Sequence, residues 1–506
     1  MAEMRRGPVE SALEIGSRLS EAPSQRLVAS AFAEEIAGQS ELFGPLGLVD
    51  LAHCITLNEQ GVIPSEAACP LVAALLDLRQ DGAALTAEAV YGDLYTNREA
   101  QIAGRTSTAG WLGTSRARRE ALTTAYHLLL RDRLLELGIR LLEFGRSVIA
   151  VASIHVESLM PDYTYLQAAQ PTSFGHYLSG FAWPVLRDLQ RLEALYARAN
   201  LCPAGCGSSN GSVAFQDRAS LARRLGCAGP LAHARDAMWQ ADLAIEAMGL
   251  AVAATIGLDR LAEDLMVFAT AEFGFVRLSD RHARASKIMP QKRNPFALAF
   301  VRGLANRLIG EQAGVAASGR TPSGQMDSRM LPYQAVPAAL RSAGQAAALM
   351  AEVVSALNFD RVCARAALDD GTACASDLAE RLCLGLKLDY RRAHGLVARL
   401  MGRLEAQGRT LSSLTGEELK AACREAGGDL PPVPDKVLQS ALDPWSCLKA
   451  RGDIGGAAPA QVLRQTHDLA DSFARHEQWL EAARRRHATA EENLLAEAWA
   501  LAGRSP

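Results

Sequence analysis

The sequence predicts an all-α protein, and three observations lead to that prediction. Alanine and leucine dominate, runs of valine, isoleucine and threonine are nearly absent, and long segments carry apolar residues at helical spacing. The 506 residues are 49% hydrophobic, which excludes a disordered or fibrous chain and suffices for several packed layers. We expect a central bundle of long helices flanked by two small helical domains.

Five long helices are predicted in chain order. They cover residues 120–157, 174–199, 234–273, 295–318 and 332–358. Several of them are apolar on nearly every side, which favours burial in a bundle with other helices, including those of other subunits. The stretch 234–273 is the clearest case, because the apolar side chains between Ala237 and Ile256 leave little polar surface.

The connections between these helices divide the chain. Residues 201–212 are rich in glycine, serine and asparagine, and residues 277–293 and 318–332 also have loop composition. Loops of this size between long helices often carry function. We predict an N-terminal helical domain over 1–112, a central bundle over 113–358 and a C-terminal helical domain over 359–506.

Charge and hydropathy exclude several classes of partner. Lysine and arginine number 53 against 56 aspartate and glutamate, and both signs are interspersed to a formal net charge of -3. No basic stripe is available to neutralise phosphates, so neither nucleic acid nor a membrane surface is a predicted partner. No apolar run reaches the ~20 residues that span a bilayer, and the N-terminus is polar, so we predict a cytoplasmic protein.

The cysteines are scattered along the chain. None of them forms the paired CxxC sets of a zinc site, and we predict no metal site. Buried thiols that form no disulfide are the expected state. The ten residues are Cys54, Cys69, Cys202, Cys206, Cys227, Cys363, Cys374, Cys383, Cys423 and Cys447.

Residues 285–295 concentrate groups that suit acid–base and anion chemistry. Ser286 lies in a predicted loop, and Lys292 and Asn294 directly precede a helix led by Pro295. Helix-start N–H groups, the ammonium and the amide together suit a carboxylate or its doubly charged enediolate. The other interpretation of the same residues is a capped helix start with a solvated lysine.

This stretch resembles the signature loop of the fumarase/aspartase superfamily, Gly-Ser-Ser-any-Met-Pro-any-Lys-any-Asn-Pro. The fixed positions that are occupied at unbroken spacing are Ser286, Met289, Pro290, Lys292, Asn294 and Pro295. Ala285 replaces the glycine and Lys287 replaces the second serine.

Further segments resemble one branch of that superfamily, the argininosuccinate lyases. Residues 113–116 are similar to the family's first helix-entry segment and residues 164–178 to its second. Residues 260–265 and 272–276 are similar to the helix and turn before the signature loop. The resemblance implies a fumarase/aspartase-like helical fold, a homotetramer whose sites draw on three subunits, and an anti β-elimination that releases fumarate.

The resemblance also implies residue roles. Ser286 would be the base that removes the Cβ proton of a substituted aspartate, with its alkoxide supported by the helix start, and Lys292 and Asn294 would stabilise the enediolate. The substrate carboxylates would be bound by Ser115, Arg116 and Thr164, with Gln167 and residues 208–210 as further contacts. A surface or capping role is the alternative for each.

Several positions depart from the argininosuccinate lyase pattern. Tyr165 and Ala299 stand where that family has a His–Glu pair, and Tyr95 stands where a histidine is usual. Ala117 and Arg118 replace an Asn-Asp pair, and residues 239–242 replace Ser-Asp-Arg-Asp. Residues 323–329, which include Met326, do not align with the stretch that contacts argininosuccinate.

We therefore predict a cofactor-independent carbon–nitrogen lyase that releases fumarate from an N-substituted aspartate other than argininosuccinate. Three alternatives remain at this point. The first is a genuine argininosuccinate lyase in which another residue, such as Tyr165, is the acid. The others are a non-eliminating member such as a lactonising muconate cycloisomerase, and a non-catalytic structural protein on the same fold.

Overall fold

The computed structural model of the protein describes residues 12–15, 18–82, 87–214, 217–320, 330–386, 388–425 and 435–505. Helices dominate these residues, which confirms the all-α prediction. No helix in this part of the chain combines the length and the apolar character needed to cross a membrane. In chain order the helices are α1 Gln25–Leu27, α2 Ala33–Gln39, α3 Phe43–Glu59, α4 Ser65–Asp81, α5 Leu94–Ala103, α6 Arg118–Ile154, α7 Phe174–Ser179, α8 Ala182–Ala199, α9 Arg218–Arg224, α10 Ala234–Trp239, α11 Asp242–Phe268, α12 Phe296–Ser318, α13 Met330–Ala356, α14 Arg361–Ala366, α15 Ala375–Leu386, α16 Tyr390–Ala406, α17 Gly416–Glu425, α18 Asp435–Leu442, α19 Pro444–Ala450 and α20 Pro459–Leu501.

Short helical turns and short strands complete the fold. A π-helical turn, Val28–Phe32, joins α1 to α2, and single 3-10 turns lie at Ser40–Leu42, Ala89–Tyr91, Ala109–Gly113, Asp280–His282, Thr372–Cys374 and Leu411–Ser413. The strands are β1 Leu159–Thr164, β2 Gln167–Ser173, β3 Leu201–Cys202, β4 Gly229–Pro230, β5 Val276–Arg277, β6 Arg284–Ala285, β7 Arg293–Asn294 and β8 Asn358–Phe359. They form four two-stranded pairs, β1–β2, β3–β4, β5–β8 and β6–β7.

The central bundle consists of α6, α8, α11, α12 and α13. The 37-residue α6 is flanked along its length by α13, and α11 contacts α8, α12 and α13. Each helix contributes buried apolar side chains, among them Leu134, Leu250 and Val336. Because burial of such a side chain contributes about 1.5–3 kcal/mol, the contacts between helices dominate the stability of this bundle.

Helix boundaries follow the sequence prediction where apolar residues recur at helical spacing without interruption. The predicted helices 120–157, 295–318 and 332–358 are confirmed as α6, α12 and α13, with ends shifted by three residues at most. Local periodicity therefore suffices to place these long elements.

Two predicted helices are in fact broken, so those predictions are wrong. The stretch 234–273 divides into α10 and α11, because Gln240 is extended (φ -58°, ψ 135°) and its side-chain amide donates to His127 Nε2 of α6 at 3.2 Å. The stretch 174–199 divides into α7 and α8 at Gly180 and Phe181, where glycine has little preference for helix. The first break accompanies a contact with a distant residue.

The β1–β2 hairpin is the largest feature that the sequence did not predict. The two strands pair antiparallel with Thr164 opposite Gln167, and α7 begins only at Phe174. Tyr165 and Leu166 form the turn with φ values of 53° and 57°, as a tight two-residue connection requires. The segment that resembles a helix entry therefore begins as a hairpin whose turn is exposed, and its helix follows only after β2.

The buried apolar residues in the described part of the chain form two large cores. The first collects residues between Leu42 and Ala364 and also residues from Leu469 to Ala498, since the 43-residue α20 returns to pack on α6. The second lies between Leu378 and Leu442. No disulfide joins the ten cysteines, all of which lie in the described residues, and six of them are buried. The division into three domains stays a prediction.

The contact of α6 with α20 depends on small residues, which leads to a test. A Cβ atom at Gly145 would lie 2.7 Å from Phe473 Cζ and 3.2 Å from Val185 Cγ1. We expect Gly145→Ala to lower the melting temperature, since overpacking costs about 1–3 kcal/mol and outweighs the gain in helix propensity of about 1 kcal/mol. Gly402→Ala in α16 is the matched control and is expected to raise it, because no atom lies within 4 Å of a Cβ there. Shifts of the same sign in calorimetry would contradict the packing explanation.

Candidate active site

The signature loop forms a hairpin that leads into α12. β6 pairs with β7, with Arg284 opposite Asn294. Arg293 forms an ion pair with Asp280 and donates to the Leu278 carbonyl at 3.3 Å. These contacts fix the base of the hairpin, whereas Ile288 at its tip is exposed.

Ser286 lies at the start of the turn and receives backbone hydrogen bonds. Its Oγ accepts from the N–H of Met289 at 3.1 Å and from the N–H of Ile288 at 3.4 Å. Donors aimed at a hydroxyl oxygen stabilise negative charge on it, which favours a serine that gives up its proton. The expectation that the helix start supplies these donors is corrected, since they belong to the turn.

Lys292 and Asn294 lie where the sequence predicts them, directly before α12. Lys292 is exposed, and its N–H donates to the Met289 carbonyl at 3.1 Å. Asn294 is half-buried, and its Nδ2 donates across the hairpin to the Arg284 carbonyl at 3.1 Å. The ammonium is therefore open to an anion, while the amide closes the hairpin.

Three predicted site residues share the exposed end of the β1–β2 hairpin. Thr164 and Gln167 close the ladder, and Tyr165 is 101% exposed at the turn. Gln167 Nε2 makes a long contact of 3.4 Å with the Leu166 carbonyl. None of the three is held by packing within its own chain, so all are available to a ligand or to a neighbouring subunit.

Arg116 lies in a buried ion cluster before α6. Its guanidinium contacts Asp50 of α3, which also accepts from Arg98 Nε at 2.9 Å and Nη2 at 2.7 Å. The side chains of Arg116 and Asp50 are each 1% exposed. Burial acts to raise the pKa of Asp50, but the charges of Arg116 and Arg98 outweigh it and hold that pKa below its ordinary value. A bond from Arg116 to a substrate carboxylate would require this segment to open.

The backbone beside Arg116 is also unusual. Ser115 has a φ of 58°, a left-handed conformation that costs energy for a residue with a side chain. The adjacent Thr114 carbonyl accepts from His53 Nε2 at 3.0 Å. Burial, with the charge of Arg116, lowers the pKa of His53 to about 3, so the ring is neutral at pH 7. The turn that carries Ser115 therefore has a left-handed backbone conformation and is bonded to a neutral histidine.

The buried cluster of Asp50 and Arg98 around Arg116 was not predicted from the sequence. A signal for Asp50 exists, because it is the only acidic residue in the apolar run from Leu46 to Leu57. A carboxylate at such a position is seldom buried without a cation. The sequence does not identify that cation, since Arg116 lies 66 positions away.

Glu120 is a second buried group that sequence analysis missed. It stands in the first turn of α6, and its Oε1 accepts from the N–H of Gly205 at 2.6 Å, which anchors the glycine-rich loop 201–212. Arg218 holds the same loop by donating to the Ala204 carbonyl at 3.0 Å. Burial raises the pKa of Glu120 to about 7, although backbone hydrogen bonds oppose the shift.

The raised pKa of Glu120 leads to a stability prediction. The ordinary pKa of a glutamate is 4.5. Between about pH 4.5 and 7 the Glu120 carboxyl is therefore protonated in the folded chain and ionised in the unfolded chain. The free energy of unfolding should therefore fall by roughly 3 kcal/mol from this group as pH rises through that window. Glu120→Gln should remove that part of the pH dependence in denaturant titrations at pH 5 and pH 8. Equal pH dependence in both proteins would contradict the assignment.

The single chain does not assemble the predicted site by direct bonds. Among the described residues, no hydrogen bond or ion pair joins residues 113–120, the β1–β2 hairpin and the β6–β7 hairpin to one another. Met326 and the rest of 321–329 lie outside the described residues. Within the described ranges, no group of three or more His, Cys, Asp or Glu side chains could hold a metal ion.

Comparison with known proteins identifies the family. A lyase family model matches residues 53–310, and a model of the argininosuccinate lyase C-terminal region matches residues 372–449. The chain is 32% identical over 460 residues to the argininosuccinate lyase of Methanoculleus marisnigri, which covers 89% of this chain and 92% of that protein. These matches define a carbon–nitrogen lyase. The chain belongs to the argininosuccinate lyase branch of the fumarase/aspartase superfamily.

Solved structures agree on the fold. An EDDS lyase variant with bound fumarate superposes with a TM-score of 0.86 at 24% identity and covers 99% of both chains. The β-carboxy-cis,cis-muconate cycloisomerase of Acinetobacter calcoaceticus superposes with a TM-score of 0.67 at 18% identity, covering 88% of this chain and 98% of that one. The expected fumarase/aspartase-like fold is confirmed.

Proposed function

We propose that this lyase releases fumarate from an N-substituted aspartate other than argininosuccinate by eliminating the amine. The observation that carries the proposal is the β6–β7 hairpin, in which Ser286 Oγ receives two backbone N–H groups and Lys292 is exposed six residues later. A base beside an unpaired cation is what elimination next to a carboxylate requires.

The proposed reaction uses these groups in sequence. Ser286 Oγ, as the alkoxide that the turn N–H groups stabilise, takes the Cβ proton and becomes the hydroxyl, and the electron pair of the C–H bond moves into the adjacent carboxylate to give an enediolate. Lys292 and Asn294 stabilise that dianion, which is where most of the catalytic energy is expected. Collapse of the enediolate breaks the C–N bond, and the departing amine takes a proton from an acid, for which Tyr165 is the candidate.

Substrate binding is assigned to groups of the β1–β2 hairpin and of the segment before α6. Ser115, Thr164 and Gln167 would bind the carboxylates, and Arg116 would join them once its segment opens. No cofactor is needed for this chemistry. The proposed partner is a small molecule, and a cytoplasmic location without nucleic-acid or membrane binding agrees with the interspersed charge.

A panel assay tests the proposal. The purified chain is incubated with aspartates that carry different N-substituents, and fumarate is followed by its ultraviolet absorbance and by NMR. Fumarate from at least one member, with the matching amine in equal amount, is the expected result. Absence of fumarate across the panel and in the additive direction would overturn the proposal and would favour a non-catalytic role.

Argininosuccinate lyase itself is the second candidate. It is favoured by the 32% identity to a protein of that name over most of both chains. The same assay decides between the candidates, since argininosuccinate is one member of the panel.

We also propose a homotetramer with sites shared between subunits. Support comes from apolar side chains that α12 leaves exposed in the single chain, Phe296, Phe300 and Ile309, and from the exposed site hairpins. Analytical ultracentrifugation at micromolar concentration should give a tetramer, and Ile309→Glu should dissociate it. Val362→Glu is the control, because Val362 is exposed on the short α14 and lies outside the bundle. A monomeric parent chain would contradict this proposal.

A further inference from the structure

Two cysteines lie side by side at the start of the loop 201–212. Cys202 ends β3, and Cys227 lies two residues before β4, which runs parallel to β3 with Leu201 opposite Gly229. The Ala228 N–H donates to the Asn200 carbonyl and the Leu231 N–H donates to the Cys202 carbonyl, each at 2.9 Å, so the two segments are held together next to both cysteines. The two thiols are close enough for each to shift the pKa of the other.

A fixed cation touches one sulfur of this pair. Arg131 Nη1 of α6 lies 3.5 Å from Cys227 Sγ, and the same nitrogen donates to the Leu225 carbonyl at 2.8 Å. A guanidinium next to a sulfur favours the thiolate, which is the nucleophilic form. The interaction with Cys202 and the charge of Arg131 lower the pKa of Cys227 against the effect of burial, whereas that interaction and burial raise the pKa of Cys202.

Cys227 also borders a cavity. A cavity of ≈ 960 Å³ lies between residues 219–230 and α20, and Cys227 forms part of its wall. Its arginine lining residues are Arg223, Arg224, Arg485 and Arg486. Cys227 is partly exposed, while Cys202 is fully buried behind it. A small oxidant can therefore reach Cys227 first.

We propose that Cys227 is an oxidation site for hydroperoxides and that Cys202 is its resolving thiol. The Cys227 thiolate attacks one peroxide oxygen, and the O–O bond breaks to give a sulfenic acid and, after proton uptake, one water. The Cys202 sulfur then attacks the sulfenic sulfur and displaces the hydroxyl group as a second water. Two thiols and one hydrogen peroxide thus give one disulfide and two waters.

A second cysteine pair in the chain is a built-in control. Cys374 is likewise close enough to Cys447 to shift its pKa, and both residues are buried. No cation is found on either sulfur in the described residues; Cys447 Sγ instead donates to the Ala441 carbonyl at 3.3 Å. The interaction with Cys374 and burial raise the pKa of Cys447 well above its ordinary value. In both pairs the two thiols lie close together. Only the Cys202–Cys227 pair also has a cation next to one sulfur and a cavity beside it.

The test follows disulfide formation in the full-length chain. The protein is treated with hydrogen peroxide, quenched by alkylation at several times and digested for mass spectrometry. The Cys202–Cys227 disulfide should form at least roughly tenfold faster than Cys374–Cys447 and should be reversed by dithiothreitol. Cys202→Ser should instead leave a sulfenic acid on Cys227 that dimedone traps.

The outcomes separate the proposal from general reactivity. Equal rates for the two pairs, earlier oxidation of Cys374–Cys447, or dimedone labelling spread over all cysteines in the Cys202→Ser variant would each overturn it. The comparison between pairs needs no variant, so it holds even if a substitution unfolds the chain. Because only thiols are measured, the result does not depend on which substrate the lyase uses.

Discussion

Replacement of Ser286 by alanine is expected to lower kcat by several orders of magnitude while folding and assembly stay intact. The side chain is half-buried in a hairpin whose base is fixed by Arg293, Asp280 and the Asn294 amide, so its removal deletes no core contact. Loss of the oxygen that receives the Met289 N–H removes both the base and the group that organises the turn.

Gln291→Ala is the matched control for this prediction. Gln291 lies in the same hairpin, is exposed, and occupies a variable position of the signature pattern. Its replacement should leave kcat within a small factor of the parent value. A near-normal rate in the Ser286→Ala variant would mean that another group takes the proton, and the mechanism proposed above would then be wrong.

Argininosuccinate is expected to be a poor substrate, with a kcat/KM below ~10⁴ M⁻¹s⁻¹, the lower end of the ordinary enzyme range. Its guanidinium and distal carboxylate need polar partners, and this chain carries Ala117, Trp239 and Ala241 at positions where the family has polar residues. A buried charge whose partner is deleted loses several kcal/mol, and each ~1.4 kcal/mol is tenfold in affinity or rate. The succinyl end keeps its candidate contacts, so a panel member with a smaller or less polar amine should react faster.

A single substitution sharpens the substrate test. Ala117 is the N-cap of α6 and makes no side-chain capping bond, so Ala117→Asn adds a favoured cap and returns one polar group of the family pattern. It should raise kcat/KM for argininosuccinate by roughly tenfold, which corresponds to one recovered hydrogen bond. A parent value above ~10⁴ M⁻¹s⁻¹ for argininosuccinate would instead support the second candidate function.

The parts of the fold and site that could be predicted are those formed by residues near one another in the sequence. The parts formed by residues far apart in the sequence could not be predicted. Helices such as α6 and α12 were predictable because their apolar residues recur at helical spacing along the whole element. The signature loop was predictable as a motif, since Ser286, Lys292 and Asn294 lie within nine residues of one another. The break at Gln240 was not, because its extended backbone accompanies a bond to His127 of another helix.

The sequence by itself determined the class of the protein, the long bundle helices and the position of the signature loop. Tertiary structure alone decided the surroundings of the predicted groups: Tyr165 at an exposed hairpin turn, Arg116 locked to Asp50, and Glu120 held neutral up to about pH 7 beneath the glycine-rich loop. The physical reason is that periodicity and motifs are encoded by near neighbours along the chain. Burial and ion pairing depend on residues such as Asp50 that only the packed helices bring within reach.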